Sequence, residues 1–302
     1  MSTLLILNPK AAKGNAEKHF DRIFQNFKDA KYDHDIKFSE YPLHAESIAN
    51  DAVKNGYDNI LVAGGDGTLN EVVNGILKSN GDPLLGIIPT GTCNDFIKAA
   101  GIPADIQGSC DTIISGNSRT FDIGKAGDRY FINAVGIGFD VAVVQELQKT
   151  KHLNSFLVYL SIVIKKIFRY KGIELFIQNG KDQSRRHALM LTIANGICYG
   201  GNFNIAPHAD PADGSLDAIL INNVSPFKRL KILSKVFSGN HIKIPDVHVF
   251  KTDSLTIKSV DNLLLQIEGE LMTWLSKEIH ITILPKRLKI AVPASPSPGL
   301  QT

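Results

Sequence analysis

The chain has few cysteines and no long hydrophobic run. Its three cysteines, Cys93, Cys110 and Cys198, lie far apart without a C-x-x-C pair, which excludes a zinc knuckle and a disulfide scaffold and is typical of a reducing compartment. No apolar stretch reaches the roughly 18 residues that a membrane-spanning helix needs. The apolar N-terminus lacks the basic segment and cleavage site of a signal peptide. We therefore expect a cytoplasmic protein that can still bind peripherally at the inner face of the membrane.

Charge of one sign is also scarce. The 33 basic and 30 acidic residues leave a net charge of only +3, which is too weak to indicate a nucleic-acid partner. A hydrophobic content of 43% with 21% charged residues excludes intrinsic disorder and collagen and is typical of a globular protein. At about 150 residues per domain, the length of 302 residues predicts two domains.

The first part of the chain alternates between short apolar runs and segments of helical period. This alternation predicts a parallel sheet with helices on both faces over residues 1–127. Such sheets bind ligands at the carboxyl ends of their strands. The predicted strands are 4–7, 35–38, 59–63 and 84–88, and the predicted helices are 17–30, 44–55 and 69–78.

The second part is rich in β-strand patterns and predicts an antiparallel, sandwich-like domain over residues 128–287. Residues 288–302 are rich in Pro and Ser and predict a partly disordered tail. Residues 156–171 are apolar and then basic, which favours a core-packed helix over one that docks on anionic lipid. The predicted strands are 173–178, 188–194, 215–221, 247–258, 263–267 and 279–284, and the predicted helices are 141–150, 154–170 and 226–237.

The most informative segment is GGDGTLNEVVNGI at residues 64–76, which follows an apolar strand and opens a helix. Thr68 and Glu71 have the spacing of a capping box. Three glycines let backbone N–H groups face an anion, and a helix N-terminus favours phosphate. Asp66 beside a polyphosphate would be repelled by several kcal/mol at roughly 4 Å and a dielectric of about 20. The pattern therefore indicates a cation or a proton transfer at a nucleotide.

The ordered set of motifs resembles the diacylglycerol kinase catalytic-domain family of bacterial soluble lipid kinases, which is related to sphingosine and ceramide kinases. The GGDGT turn alone is weak, since NAD kinases and phosphofructokinases carry it too. The full set covers about residues 3–285 and is specific. The other matching segments are NPKAAKG (8–14), IPTGTCNDF (88–96), FDIG (121–124), RYFINAVGIGFD (129–140), GGNFNIAPHADPADGSLD (200–217), SGNHIKIPDVHVF (238–250) and QIEGE (266–270).

The resemblance implies that ATP and Mg²⁺ are the cofactors and assigns the nucleotide contacts. Ala12 replaces a glycine of the family pattern, and Ser39 replaces a threonine but keeps the hydroxyl. Asn94 and Asp95 are read equally well as a helix cap. The implied nucleotide-binding residues are Asn8, Pro9, Lys10, Ala11, Ala12, Ser39, Gly64, Gly65, Asp66, Gly67, Thr68, Leu69, Asn70, Glu71, Thr92 and Asn94.

Two acidic segments complete the implied site. By composition alone, the turn with Asp210, Asp213 and Ser215 reads as a surface hairpin, whereas the resemblance implies a structural Mg²⁺ there. In the second segment, residues 266–270, the resemblance implies an acidic base. We assign this role to Glu270, and Glu268, where an aspartate is usual, helps to hold Mg²⁺ or is the second candidate for the base. An exposed hairpin turn is the alternative for this segment. Asp66 is the rival for either role.

Asp122 and Asp140 are two further acidic residues that we expect to lie beside the predicted cleft. Either can orient a lipid head group, and Asp140 can equally cap the helix that follows it.

The sequence therefore predicts a lipid kinase that transfers the γ-phosphoryl group of Mg-ATP to a lipid hydroxyl, with diacylglycerol converted to phosphatidic acid in phospholipid biosynthesis. The acceptor choice rests on the resemblance alone. A sphingoid base, a polyprenol or NAD remains an alternative acceptor, and a non-catalytic lipid- or nucleotide-binding regulator is an alternative of another class. The expected partners are a lipid substrate at the membrane surface and ATP, with no nucleic acid and with a homodimer left open.

Overall fold

A computed structural model describes residues 1–11, 16–149, 156–201, 203–274 and 276–294. Ala12, one of the predicted nucleotide contacts, lies outside the described residues. The last eight residues of the predicted tail, 295–302, also lie outside them. None of the helices in the described part of the chain has the length and apolar character needed to span a bilayer.

The first part of the chain forms a parallel sheet covered by helices on both faces. Its elements are β1 (Thr3–Leu7), α1 (Ala16–Asp29), β2 (Asp35–Phe38), α2 (His44–Lys54), β3 (Asn59–Gly64), α3 (Asp66–Lys78) and β4 (Leu84–Pro89). The strands pair in the order β4-β3-β1-β2. β1 and β3 are buried along their whole length, as expected where helices cover both faces.

Two short helices that are not among those predicted from periodicity follow this sheet, although reading Asn94 and Asp95 as a helix cap implied a helix after residue 95. They are α4 (Phe96–Ala100) and α5 (Ile106–Ile114). α4 is only five residues long, too short for a periodic pattern to show. α5 is capped by the side chain of Asp105, which accepts a hydrogen bond from the N–H of Gly108 at 2.8 Å.

The second part is mainly antiparallel. Its strands are β5 (Ser118–Ala126), β6 (Arg129–Phe131), β7 (Ala134–Gly138), β8 (Ile173–Asn179), β9 (Asp182–Ala194), β10 (Leu216–Asn222), β11 (Val247–Thr252), β12 (Ser254–Ser259), β13 (Leu264–Ile267), β14 (Glu270–Thr273) and β15 (Glu278–Ala291). Its helices are α6 (Phe139–Lys149), α7 (Phe156–Arg169), α8 (Pro226–Val236) and a 3-10 helix at Asn240–Lys243. One apolar core lies among the strands, and a second lies between them and the three α-helices. The predicted fold class, an α/β domain followed by a β-rich sandwich domain, is confirmed.

The two parts share one hydrogen-bonded sheet because β15 reaches back to the first part. Ile290 of β15 pairs with Leu85 of β4 in parallel, while the rest of β15 pairs antiparallel with β5 and β12. Leu288 and Ile290 are buried in the core around α2 and α3. Residues 288–291, which we predicted as the start of a tail, therefore belong to this strand.

The predicted capping box at α3 is wrong. The helix begins at Asp66 and its N-cap is Gly65, so Thr68 lies inside the first turn. The carboxylate of Glu71 instead accepts hydrogen bonds from the backbone N–H groups of Leu43 at 3.0 Å and Ala45 at 3.1 Å. Glu71 therefore stabilises the start of α2, a tertiary contact that local spacing cannot indicate.

Two predicted strands also have different bounds. The run 247–258 is two strands, because the chain turns at Asp253 and β11 pairs with β10 while β12 pairs with β8 and β15. The strand predicted at 188–194 begins at Asp182, since its polar first half pairs with β8 in a hairpin closed by Asn179 and Asp182. Polar residues there face solvent and hide the strand from a hydrophobicity pattern.

Candidate active site

The glycine turn between β3 and α3 lies against the loop that follows β4. A Cβ built on Gly65 would lie 3.2 Å from the Cα of Gly91, and one built on Gly91 would clash with Gly65. The side chain of Asn94 holds the second loop by bonding to both the N–H and the carbonyl of Gly91, at 3.1 and 3.0 Å. Glycine is needed where these two backbones touch, and Asn94 acts within its own loop and not as a helix cap.

The loop after β1 joins the same site. The side-chain amide of Asn8 donates to the hydroxyl of Thr68 at 2.7 Å, and its oxygen accepts from the N–H of Lys10 at 2.9 Å. Ser39 is buried at the end of β2, where its N–H donates to the carbonyl of Leu7 at 2.9 Å. Four of the predicted nucleotide segments therefore meet at the carboxyl ends of the parallel strands, where such sheets bind ligands.

Not every predicted nucleotide residue presents its side chain there. Leu69 is buried in the core around α2 and α3. The amide oxygen of Asn70 accepts from Asn74 at 3.1 Å, and Asn74 also bonds to both backbone groups of Tyr130. Glu71 is committed to α2, as described above. Pro9, Lys10 and Thr92 are exposed.

Glu270 crosses from the second domain to the glycine turn. One oxygen of its carboxylate lies 2.9 Å from the position that a Cβ on Gly67 would occupy, so a side chain at this position would displace the carboxylate. Burial raises the pKa of Glu270, and the charge of Glu71 raises it further. The contact puts a carboxylate of raised pKa beside the glycine turn between β3 and α3.

Glu268 is held two residues earlier in a different environment. It adopts a left-handed backbone with φ of 53°, and its carboxylate accepts from the N–H groups of Ile132 at 2.9 Å and Asn133 at 2.7 Å. Burial raises the pKa of Glu268 to about 8, with a contribution from the negative charge of Asp66. Glu268 therefore carries a proton at neutral pH.

Asp66 stands at the first position of α3. Its carboxylate accepts from the backbone N–H of Asp95 at 2.7 Å. Burial raises the pKa of Asp66, and the charge of Asp95 adds to the shift. Asp95 itself accepts from the N–H of Gly201 at 3.0 Å and from Lys98 at 2.9 Å, so the loop after β4 links Asp66 to the second domain.

Between these groups lies a cleft of about 570 Å³ with walls from both domains. Gln266 is one of the residues that line it and connects two others. Its side chain donates to Asp140 at 3.3 Å and accepts from the N–H of Gly269 at 2.7 Å. Asp140 is buried, which raises its pKa to about 6. The N–H of Val141 donates to Asp140 at 2.9 Å. The Asp140 side chain therefore stabilises the start of α6 directly, and through Gln266 it also stabilises the turn that carries Glu270.

The predicted Mg²⁺ turn is occupied by protein cations. Asp210 pairs with Arg119 at 3.2 Å. One oxygen of Asp213 accepts from the N–H of Ser215 at 2.9 Å, and the other pairs with Lys251. Within the described ranges, no group of three His, Cys, Asp or Glu side chains is placed to hold a metal ion. The described part of the turn therefore does not bring three acidic side chains together, and the Mg²⁺ expected at Asp210, Asp213 and Ser215 stays a prediction.

Asp122 ties this turn to the rest of the molecule. It is fully buried and accepts from the N–H groups of Lys286 and Gly214, both at 2.7 Å. Its own N–H donates to the carbonyl of Pro211 at 2.7 Å. Asp122 therefore has a structural position between β5, β15 and the 210–215 turn, and not the head-group position that we considered.

Sequence reasoning gave no role to three polar residues of the cleft region, Asn133, Gln266 and Lys98. The side-chain oxygen of Asn133 is buried and has no hydrogen-bond partner among the described residues. Asn133 and Gln266 sit in apolar strand-like runs, and a polar residue at a core position of such a run is the signal that could have identified them.

Comparison with known proteins agrees with this architecture. The sequence-family model of the diacylglycerol kinase catalytic domain matches residues 2–126. The sequence-family model of the YegS C-terminal NAD kinase beta sandwich-like domain matches residues 133–292. The diacylglycerol kinase of Bacillus subtilis (strain 168) is 30% identical over 270 residues, or 88% of each chain. That of Staphylococcus aureus (strain bovine RF122 / ET3-1) is 32% identical over 285 residues, covering 92% of this chain and 90% of the relative.

Solved structures support the same fold. The crystal structure of a diacylglycerol kinase from Bacillus anthracis str. Sterne matches with a TM-score of 0.78 at 22% identity and covers 98% of both chains. The resemblance noted from the motifs is thus confirmed over nearly the whole length, in sequence and in fold. The chain belongs to the diacylglycerol kinase family, a family of lipid kinases.

Proposed function

We propose that the chain transfers the γ-phosphoryl group of ATP, supplied as its magnesium complex, to the hydroxyl of diacylglycerol to give phosphatidic acid. The observation that carries this proposal is the contact of Glu270 with Gly67, which joins a carboxylate to an anion-binding turn. The relatives named diacylglycerol kinase support the choice of acceptor.

The nucleotide phosphates would bind at the turn between β3 and α3. The N-terminus of α3 offers backbone N–H groups and a positive helix-dipole end. Asn8 orients the hydroxyl of Thr68 at this position. The magnesium ion arrives with the nucleotide as part of the substrate and supplies neutralisation of the phosphate charge.

The acceptor hydroxyl would enter from the cleft side. Its oxygen attacks the γ-phosphorus, the bond to the bridging oxygen of ADP breaks, and the hydroxyl proton passes to Glu270. Glu268 is the poorer base because its pKa of about 8 leaves it protonated at neutral pH. The raised pKa of Glu270 improves it as a proton acceptor. Asp66 accepts from the N–H of Asp95 and would position the loop after β4.

The test is a screen with radiolabelled ATP. Diacylglycerol, monoacylglycerol, ceramide, sphingosine and polyprenol are offered in mixed micelles, and NAD is offered in buffer. We expect diacylglycerol to be the best acceptor. Glu270→Gln should reduce turnover by at least about 100-fold while nucleotide binding is kept. The matched control is Glu278→Gln, an exposed glutamate of β15 that pairs with Lys258.

Each other outcome corrects a defined part of the proposal. Phosphorylation of NAD alone would show that the proposed acceptor, diacylglycerol, is wrong. Full nucleotide binding without a product from any lipid would indicate a regulator without turnover. Unchanged turnover of Glu270→Gln would remove Glu270 as the base.

A further inference from the structure

Glu270 directly follows a two-residue hairpin turn. Ile267 of β13 pairs with Glu270 of β14, which leaves only two residues between the strands. These two, Glu268 and Gly269, have positive φ values of 53° and 80°, as a type I′ hairpin requires. Since a left-handed backbone is strained at Glu268, the surrounding structure must hold it, and the position of Glu270 depends on those contacts.

Two contacts fix the backbone N–H groups of this turn. The N–H of Glu268 donates to the carbonyl of Ala134 in β7 at 3.2 Å. The N–H of Gly269 donates to a side chain, because Oε1 of Gln266 accepts it at 2.7 Å. The central N–H groups of a hairpin turn lie outside the strand ladder, so each needs another partner. Gln266 is thus the side chain that holds the residue next to Glu270.

Asp140 determines which way the amide of Gln266 points. Nε2 of Gln266 donates to Oδ2 of Asp140 at 3.3 Å, and the N–H of Val141 donates to Oδ1 at 2.9 Å. Above its pKa of about 6 the Asp140 carboxylate is ionised and can only accept hydrogen bonds. The NH₂ group of the amide therefore faces Asp140, and the amide oxygen is left for Gly269. Reversal of the amide would place its oxygen against a carboxylate and its NH₂ group against an N–H.

The neighbouring strand leaves the space for this pair. Gly136 of β7 lies opposite Gln266 in β13. A Cβ built on Gly136 would clash with Oδ2 of Asp140 and would lie 2.6 Å from Nε2 of Gln266. Asp140 and Gln266 are only 7% and 3% exposed, so water has little access to the bond between them. The two side chains occupy the place that the missing Cβ leaves on β7.

We propose that Gln266 is the positioning residue for Glu270, with Asp140 setting the direction of its amide. This inference rests on the proposed function, because it takes Glu270 as the base. One oxygen of Glu270 lies 2.9 Å from the position of a Cβ on Gly67, and a base acts only within hydrogen-bond reach of the proton that it takes. A shift of about 1 Å can lower turnover by about 100-fold. Gln266 takes no proton itself and acts through the turn.

A variant without both hydrogen bonds tests the role of Gln266. Gln266→Met keeps the length of the side chain, and we expect kcat with diacylglycerol to fall by about tenfold or more. KM for ATP should stay unchanged, since the proposed phosphate site is the turn between β3 and α3. The matched control is Gln178→Met, because Gln178 donates to the carbonyl of Gly180 at 3.3 Å in another two-residue hairpin turn. This control should keep the native kcat.

An exchange of the two side chains tests the direction of the bonds. Asp140→Asn alone puts an NH₂ group against a donor, either Gln266 or the N–H of Val141, and Gln266→Glu alone puts two carboxylates together. We expect each single change to lower kcat by about tenfold or more. In the double variant the carboxylate at position 266 accepts from both the amide at position 140 and the N–H of Gly269. Most of the native kcat should then return, whereas two independent packing defects would add.

The bond to the turn can be measured without turnover. The dipeptide Glu-Gly occurs only at residues 268–269, so labelling glutamate at its carbonyl carbon and glycine at its nitrogen gives a single correlated NMR signal, that of the Gly269 amide. We expect this amide to exchange with deuterium about tenfold faster in Gln266→Met than in the native chain. Circular dichroism checks that each variant is folded.

Three results would overturn the positioning role of Gln266. They are a native kcat in Gln266→Met, an unchanged exchange rate of the Gly269 amide in that variant, and additive losses in the double variant. An active chain that needs Glu270 but not Gln266 contradicts this inference alone. A native chain that phosphorylates no acceptor contradicts the proposed function, and the exchange rate of the Gly269 amide still decides whether Gln266 holds the turn.

Discussion

The acids of the cleft and the acids of the 210–215 turn differ in their partners. In the turn, Asp210 pairs with Arg119 and Asp213 pairs with Lys251. In the cleft, no described lysine or arginine forms an ion pair with Asp66, Glu268 or Glu270, and burial raises the pKa of all three. Acidic residues alone do not distinguish a functional site. The lack of a cationic partner among the described residues does, because desolvated carboxylates without such a partner are unfavourable unless a function retains them.

The largest expected effect separates the two groups by activity. Asp66→Asn should lower turnover by about tenfold or more, because the amide keeps the size but loses the charge that strengthens the hydrogen bond holding the loop after β4. Asp210→Asn is the matched control from the turn and should leave turnover unchanged. Initial rates with saturating ATP and diacylglycerol decide this. Equal losses of turnover in both variants would contradict the functional difference between the acids of the cleft and those of the turn.

Next in size is the effect of Asp122 on stability. Asp122→Asn replaces one accepting oxygen by an N–H₂ group that faces a backbone N–H, so a buried donor loses its partner. We expect the free energy of unfolding to fall by about 1–3 kcal/mol, as measured by urea denaturation. Asp210→Asn again serves as the control. A variant as stable as the native chain would show that water replaces the lost bond.

The pH dependence of the free energy of unfolding tests the protonation of Glu268 in the cleft without an activity assay. The pKa of Glu268 is raised from 4.5 to about 8. Between these values the unfolded chain loses this proton while the folded chain keeps it, so the free energy of unfolding should fall as pH rises, by at most about 1.4 kcal/mol per pH unit. Urea denaturation at pH 5 and pH 8 should show a smaller fall in Glu268→Gln. Parallel profiles would mean that Glu268 ionises normally.

The smallest effect is expected for the exposed ion pair of the turn. Arg119 and Asp210 have side chains 49% and 53% exposed, and such pairs contribute about 0–1 kcal/mol. Arg119→Ala should change the free energy of unfolding by no more than that. A larger loss, reversed by added Mg²⁺, would restore the metal site that the sequence led us to expect at Asp210, Asp213 and Ser215.

Much of the fold was predictable because its signals are local. Most strands and helices of the first domain follow from apolar periodicity, with bounds that agree within a few residues, whereas the short helices α4 and α5 do not. The turn at residues 64–68 was recognisable because glycines at that spacing, with an aspartate between them, are compatible with only a few kinds of binding site. The role of Glu71 was not predictable, since its partners at the start of α2, Leu43 and Ala45, lie 28 and 26 positions away.

The candidate site was predictable as a set of motifs but not as an arrangement. Asp66 and Glu270 were identified from the motifs, and the roles assigned to them stay predictions. The positions of Leu69 and Asn70 inside the domain, and of Lys251 on Asp213, depend on which face of an element meets its neighbour. Motif matching names residues in a segment without saying which of them turn inward.

The sequence by itself determined the alternation of strands and helices and the glycine turn, because backbone sterics and hydrophobic period act over a few residues. It also determined the family, because the motifs that define the family can be read in order along the chain. Only the tertiary structure decided that Glu270 meets Gly67, that Glu268 is buried enough to stay protonated, and that Gln266 meets Asp140. Those facts depend on distances between remote segments and on exclusion of water, which exist only once the chain has packed.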